Sequence, residues 1–383
     1  MPVPKHVEIS EISEHEYILY NNITKKHIKL GSRERNFYLY LNHHSHPFDE
    51  YLTPEQQTFL EEKFKELGFL QHDYSNLIVQ KKRDLTRIPI LFFNPERTLN
   101  LLSPFIHFLF NKIVLTFLGV FVITGFFIMG MFRSHWLLNI SMDSLNVKNL
   151  VILYIMMVFT LVIHEFSHAI TCHFLGGKVK EIGFMLFYFQ FALYCNVSSI
   201  YTFKSRKDKI LVSLAGIISQ IILVSIAVIS QYILEKLSIH QNILMYYIVL
   251  NIGLIIINLI PLVKLDGYWI LTYLTGITNL RDKSFQFLLS SFIPKYKVIN
   301  HSFSDFEIKV FKLYGITSTL FTLLFWGNSL YFLIQLIGKY NGFTSILVLI
   351  ILVLMVFIHF IRTVRSYILF LNEKLTLLSS QTT

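Results

Sequence analysis

Long apolar runs alternate with polar segments along most of the chain beyond residue 110. Each run holds about 20 mostly apolar residues, which is the length that crosses the hydrocarbon core of a bilayer as a helix. Continuous runs of this length favour helices over the alternating strands of a membrane barrel. The pattern predicts six transmembrane helices, at 113–132, 150–170, 210–234, 243–263, 313–337 and 343–361.

Residues 1–80 have a different pattern, which predicts a small soluble domain. The stretches HVEIS, YILYNN and KHIKLG indicate short strands, and NNITKK between the last two favours a hairpin. Thr53 followed by Pro54 is an N-terminal helix signal ahead of apolar residues at near-helical spacing. We expect an α+β, winged-helix-like domain, which either packs as a cap or offers a strand edge to an extended peptide.

The rest of the chain divides by pattern into four parts. Residues 81–112 are expected to link the soluble domain to the membrane, and 113–275 to form the membrane-embedded core. Within that core, 178–203 is aromatic and β-prone, which predicts a hairpin buried in protein or dipping into the membrane. Residues 276–312 are expected on the cytoplasmic surface, and 313–383 as a two-helix membrane region with a tail.

Composition supports an α-helical polytopic membrane protein. The chain is 53% hydrophobic and only 15% charged, with a mean hydropathy of +0.53. Its first residues are too polar for a signal peptide, so we expect no cleavage. Cys172 and Cys195 are too few for a disulfide framework or a four-cysteine metal site.

The net charge of +10 is distributed as in a membrane protein, not as in a nucleic-acid-binding protein. Basic residues cluster before the first predicted span and after the second, fourth and sixth, while the alternate loops carry few. Positively charged loops stay in the cytoplasm. With six spans, both termini are therefore predicted to be cytoplasmic, with the lipid bilayer as partner and no nucleic acid.

The second predicted span carries the motif HEFSH, from His164 to His168. Residues four apart lie on one helix face, so the two histidines can bind one metal ion. Glu165 is the only carboxylate within the six spans, and a buried charge in a membrane is usually functional. It can take a proton from metal-bound water, as in the HExxH motif of zinc hydrolases. The alternative is a histidine pair satisfied by neighbouring polar groups.

A catalytic zinc ion usually has three protein ligands, and Asp266 is the best candidate for the third. It lies near the cytoplasmic end of the fourth predicted span, at the depth expected for the histidines, and Pro261 breaks the helix before it. Its alternative role is to cap the following helix. His173 and Cys172 are weaker candidates, expected as a cap or surface residue and as a packing thiol. Asn258 could bind the substrate carbonyl or the oxyanion.

These residues resemble the site-2 protease family of intramembrane zinc metalloproteases. The resemblance rests on the HExxH motif, on the NxxP and LDG elements from Asn258 to Gly267, and on Ala215–Gly216, which Ile217 follows where the family often has proline. It covers residues 150–275 and implies a site-2-protease-like core. Zinc would be bound by His164, His168 and Asp266, with Glu165 as general base.

The segment 194–216 looks like the bacterial peptide zinc metalloproteases linked to ribosomally made, modified peptides. This implies a bacterial cell membrane location, a peptide or membrane-protein substrate, and a modifying enzyme or exporter as partners. Asn196 stands where such proteins often have aspartate, and we expect it to contact substrate. Residues 1–80 are similar to leader-binding domains of the same pathways.

Two other classes of function fit parts of this pattern. A metal or peptide transporter could use the histidines and Asp266 for cargo, although a transport pathway would spread ionisable residues over several depths. A catalytically silent peptide receptor would not need Glu165. The predicted activity is hydrolysis of a peptide bond near the cytoplasmic face, in the maturation or export of a peptide.

Overall fold

The computed structural model of this chain consists of two compact units, Met1–Asn258 and Leu259–Thr383. Between residues 6 and 338, the structure describes 6–13, 16–21, 26–43, 52–70, 87–139, 146–187, 190–239, 242–296 and 303–338. Beyond that, it describes 350, 353, 361, 364–369, 371–372 and 375.

The first unit begins with a three-stranded antiparallel sheet and two helices, as predicted. The strands β1 (Val7–Ser13), β2 (Glu16–Asn21) and β3 (His27–Gly31) pair in the order β1-β2-β3. The helices α1 (Ser32–His43) and α2 (Pro54–Leu67) follow. The elements of the small N-terminal domain are thus confirmed, whereas its binding of a peptide stays a prediction.

Local signals fix α2 at both ends. The Thr53 side chain accepts from the Gln56 amide while the Gln56 side chain accepts from the Thr53 amide, which satisfies two exposed donors. Gly68 ends the helix in the left-handed region at φ 75°. Phe64 is fully buried and packs with Tyr38 in the core beneath the sheet.

A second antiparallel sheet joins distant parts of the chain. Its strands β4 (Arg87–Phe93), β5 (Glu181–Phe187) and β6 (Gln190–Asn196) pair in the order β4-β5-β6. The β5-β6 hairpin is the one predicted within 178–203. The strand β4 was not predicted; it lies within 81–112, the segment expected to link the soluble domain to the membrane, and its partner strand lies about 90 residues away.

Among its described residues, the first unit contains six further helices, four between β4 and β5 and two after β6. They are α3 Glu96–Leu101, α4 Ser103–Leu109, α5 Lys112–Asn139, α6 Val147–Phe174, α7 Arg206–Lys236 and α8 Ile243–Leu259. The helices α5 and α6 both pack along α7. Val224, Val228 and Tyr247 contribute to the buried core that α6, α7 and α8 share.

Four helices among the described residues are long and apolar enough to cross a membrane. They are Lys112–Phe132, Val147–Phe174, Arg206–Lys236 and Asp305–Phe325. This indicates a membrane protein, whereas the count of six spans stays a prediction, because 343–361 lies almost wholly outside the described residues.

The predicted helix over 243–263 is too long. The helix α8 has 17 residues and ends at Leu259, two residues before Pro261. Proline has no amide hydrogen and disfavours helical geometry in the residue before it, so the helix ends ahead of it.

In the second unit, α9 (Asp266–Thr275), α10 (Leu280–Phe292) and α11 (Asp305–Gly338) pack around a common core. The segment 276–312, predicted at the surface, therefore contains a helix with a buried side. The buried residues of this core are Tyr268, Ile277, Leu280, Phe287, Phe311 and Tyr314.

Candidate metal-dependent catalytic site

One face of α6 carries three buried polar residues at four-residue intervals. Thr160 is fully buried, and His164 and His168 are only 4% and 6% exposed. Because residues four apart align along a helix, these side chains form a row, and the two histidines face α7. The prediction that the histidines share one helix face is confirmed.

The two imidazoles are arranged as ligands of a single cation. The Nε2 atoms of His164 and His168 lie 3.2 Å apart. Two nitrogens bound tetrahedrally to one zinc ion at about 2.0–2.1 Å would lie about 3.3–3.4 Å apart. The observed spacing is close to that of two zinc-bound imidazole nitrogens.

A backbone carbonyl fixes the orientation and tautomer of His168. Its Nδ1 lies 2.7 Å from the carbonyl oxygen of Val212 on α7. Since a carbonyl oxygen only accepts, Nδ1 carries the proton and Nε2 presents its lone pair toward His164. Metal-binding histidines are commonly held in this way by a partner on the other ring nitrogen.

Gly216 on α7 makes room for both rings. A Cβ atom built at Gly216 would lie 2.5 Å from Nε2 of His164 and 2.6 Å from Nε2 of His168. Only a residue without a side chain fits at this point of the helix interface. The glycine thus leaves the space in which the two Nε2 atoms converge, and this donor set fits a zinc ion.

Glu165 lies on a face of α6 that borders the second sheet. It lines a cavity of about 80 Å³ between α6 and the strands β4, β5 and β6. Burial, and then the negative charge of Glu165, raise the pKa of the Cys195 thiol on β6. The candidate base and the two histidines therefore occupy adjoining faces of one helix.

Asp266 is the first residue of α9, in the second unit. The N-cap position belongs to Leu265 and has no side-chain cap bond, so Asp266 is not the N-cap of this helix. The Tyr314 hydroxyl donates to the carbonyl oxygen of Pro261 at 3.1 Å, and Lys264 pairs with Asp282 at 3.1 Å. These contacts hold the segment before α9, and the role of Asp266 as third ligand stays a prediction.

The other predicted site residues have local contacts or partial burial. Asn196 accepts hydrogen bonds from the amide and the hydroxyl of Ser198, a turn contact at the end of β6. Cys172 is fully buried, with its sulfur 3.4 Å from the Ser199 hydroxyl, as expected of a packing thiol. His173 and Asn258 are half-buried near the ends of α6 and α8. The contact of Asn196 with substrate and the catalytic role of Asn258 stay predictions.

Sequence reasoning missed a polar network one turn from His164. The hydroxyls of Thr160 and Tyr247 lie 2.7 Å apart, and the Asn251 amide donates to Tyr247 at 3.0 Å. Tyr247 and Asn251 lie four residues apart on α8. This spacing is the sequence signal that could have predicted the hydrogen bond between them. The network ties α8 to the helix that carries the histidines.

Comparison with known proteins gives one distant relative in Bacillus subtilis (strain 168). It is named "Putative peptide zinc metalloprotease protein YydH" and is 29% identical over 126 residues. The match covers 32% of this chain and 48% of the relative, so it spans about half the length of that protein.

No protein-family model matches the chain, and no solved structure matches it. Together with the spacing of the imidazoles, the relative supports likeness to a zinc metalloprotease. Over about a third of its length, the chain is thus similar to a protein named as a peptide zinc metalloprotease.

Proposed function

We propose that this chain is a zinc-dependent endopeptidase embedded in a bacterial cell membrane. It hydrolyses a peptide bond of a precursor peptide or membrane-anchored segment near the cytoplasmic face, in the maturation or export of a ribosomally made peptide. The observation that carries this proposal is the 3.2 Å spacing of the His164 and His168 Nε2 atoms, beside Glu165 on the same helix.

His164 and His168 would hold the zinc ion, with Asp266 proposed as the third ligand. A bound zinc ion would polarise the scissile carbonyl and lower the pKa of a water molecule. Glu165 takes the proton of the attacking water and passes it to the leaving amine, which is general base and then general acid catalysis. Asn258 is proposed to donate a hydrogen bond to the developing oxyanion.

The substrate must be extended at the site, because a helix hides its amides from attack. The second sheet lies beside Glu165 and supplies strand edges along which an extended segment could pair. The proposed topology has both termini in the cytoplasm. A modifying enzyme or an exporter of the same peptide pathway is the proposed partner.

The test is Glu165→Gln, which removes the base and keeps the size of the side chain. Membranes from cells producing wild type or variant are compared by mass spectrometry of newly formed peptide termini. We expect termini that depend on the wild-type protein to fall by at least about a hundredfold, as for loss of a general base. Zinc content by elemental analysis should stay unchanged.

Two results would overturn the proposal. Equal cleavage by the Glu165→Gln variant would exclude Glu165 as the base. Wild-type protein that holds no zinc, or that moves a metal ion across a vesicle membrane without cleaving any peptide, would favour a transporter.

A further inference from the structure

We propose that the cavity beside Glu165 is a specificity pocket for a short aliphatic side chain, above all valine, next to the scissile bond of the substrate. The inference rests on the proposed peptidase activity and deepens it, because it states which residue the enzyme selects. It is argued from the walls, the size and the position of the cavity.

The sheet side of the cavity is a row of apolar side chains. Leu91 on β4 pairs with Phe184 on β5, which pairs with Leu193 on β6. Directly paired residues of antiparallel strands point to the same face of a sheet, so all three side chains face one way. All three line the cavity and give it an apolar wall across the sheet.

The helix side comes from Val162, Glu165 and Phe166 of α6. These positions are three and four residues apart and lie on one helix face. The ring centroids of Phe166 and Phe93 are 6.4 Å apart, which closes one side between α6 and β4. Leu91 remains 63% exposed, so the β4 side forms an exposed rim.

The position of the cavity relates it to the reacting bond. Glu165 follows His164 directly, and successive helix residues are turned by about 100°. The cavity therefore adjoins the face that carries the histidines. Since neighbouring residues of an extended peptide are only about 3.3 Å apart, a peptide bond at Glu165 places an adjacent side chain at the cavity.

The size of the cavity between its walls favours a short side chain. A cavity of about 150 Å³ holds benzene, which has six heavy atoms. At the same ratio, about 80 Å³ holds about three heavy atoms, which is the size of a valine side chain. Isoleucine and leucine exceed this by one carbon, and phenylalanine exceeds it by four. The apolar wall excludes charged side chains.

The test profiles cleavage sites with a proteome-derived peptide library, presented to the purified full-length protein in detergent. We expect wild type to cleave next to valine, with isoleucine and leucine second. Val162→Ala enlarges the pocket and should shift the preference toward leucine and phenylalanine. Leu193→Phe fills it and should shift the preference toward alanine. For each variant, the ratio of cleavage next to the two kinds of side chain should change by at least about tenfold, as for a size difference of one methylene or more.

The matched control is Val151→Ala, the same change on the same helix at a side chain that is 53% exposed. It should leave the profile unchanged. Leu193→Ala is a second enlarging variant, which decides the outcome if one of the others fails to fold. Zinc content and the midpoint of thermal unfolding report on folding for each variant.

The possible results distinguish a failure of the pocket proposal from a failure of the proposed peptidase activity. Zinc-dependent cleavage with a profile that no pocket variant changes would overturn the pocket and leave the peptidase proposal standing. A wild-type profile without aliphatic preference would do the same. Wild type that cleaves no peptide of the library would contradict both.

Discussion

At the scale of single residues, Gly216 is the position where one added carbon should matter most. Gly216→Ala places a Cβ between the Nε2 atoms of His164 and His168, both of which would then have to move. We expect zinc affinity to fall by at least about tenfold, the lower end of the effect of losing the groups that orient metal ligands. Competition with a chromophoric chelator measures this affinity.

The control for this change is Gly119→Ala, at a glycine where a Cβ would meet nothing within 4 Å. Gly119 lies on α5, which is also an apolar helix, so membrane insertion and expression are tested equally. Unchanged zinc affinity of Gly216→Ala would mean that zinc is not bound at the position between the two imidazoles.

The candidate site was partly predictable at this scale. The four-residue spacing of His164 and His168 puts both on one face of any helix, so the sequence alone was sufficient to predict that they lie side by side. The hydrogen bond from His168 to Val212 was not predictable, because a backbone carbonyl is present at every residue and carries no sequence signal. The face on which Glu165 lies could not be related to β4 without the pairing of distant strands.

At the scale of elements, β3 contacts the turn that follows β6. His27 on β3 stacks on Tyr201 of the 3-10 helix Ser198–Thr202, with ring centroids 3.9 Å apart. Burial and then the positive charge of Lys209 lower the pKa of His27 below 6.5. The folded protein therefore favours the neutral form of the His27 imidazole, which stacks on Tyr201.

This contact predicts a dependence of stability on pH. Because the folded pKa of His27 is lowered, the unfolded chain takes up the proton first as the pH falls below about 6.5. The His27 contribution to the free energy of unfolding should thus be complete at neutral pH and decline on acidification, until the folded pKa is reached.

The measurement is the midpoint of thermal unfolding between pH 7.5 and pH 5. His27→Phe keeps an aromatic ring against Tyr201 but cannot be protonated, so it should lose less stability on acidification than wild type. Parallel pH profiles of the two proteins would contradict a role for His27.

Elements were predictable where local signals are strong. Thr53, Pro54 and Gly68 mark the ends of α2, and the β-prone run 178–203 gave the β5-β6 hairpin. The strand β4 was missed because RIPILFF stands alone in the sequence, and its strand character depends on pairing with β5. The span 243–263 was predicted too long because apolar residues continue past Leu259 to Val263, although the break at Pro261 was recognised.

At the scale of the whole molecule, the proposal that Asp266 is the third zinc ligand can be tested on the purified full-length protein. The two histidines belong to Met1–Asn258, whereas Asp266 belongs to Leu259–Thr383. We expect Asp266→Ala to lower the zinc content of purified protein from one ion per chain to well below half, because a three-ligand site loses one donor.

Elemental analysis measures this zinc content, with Asp305→Ala as the control. Asp305 is an exposed carboxylate in the first turn of α11, also in the second unit. Full zinc occupancy in Asp266→Ala would make Cys172 or His173 the next candidates for the third ligand.

The second sheet also sets the order in which the molecule can be built. Its β4 strand is synthesised before α5 and α6, but its partner β5 follows both helices, about 90 residues later. Loop closure over such a separation is slow, and until then β4 presents an unpaired edge. Its apolar side chains Leu91 and Phe92 are 63% and 58% exposed even in the folded chain. A nascent chain that ends before Glu181 already carries the whole HExxH motif, yet the wall opposite Glu165 has not been made. The motif is therefore synthesised before the β5 and β6 wall of the proposed pocket, so the proposed peptidase would be complete only after both strands have been added to the sheet.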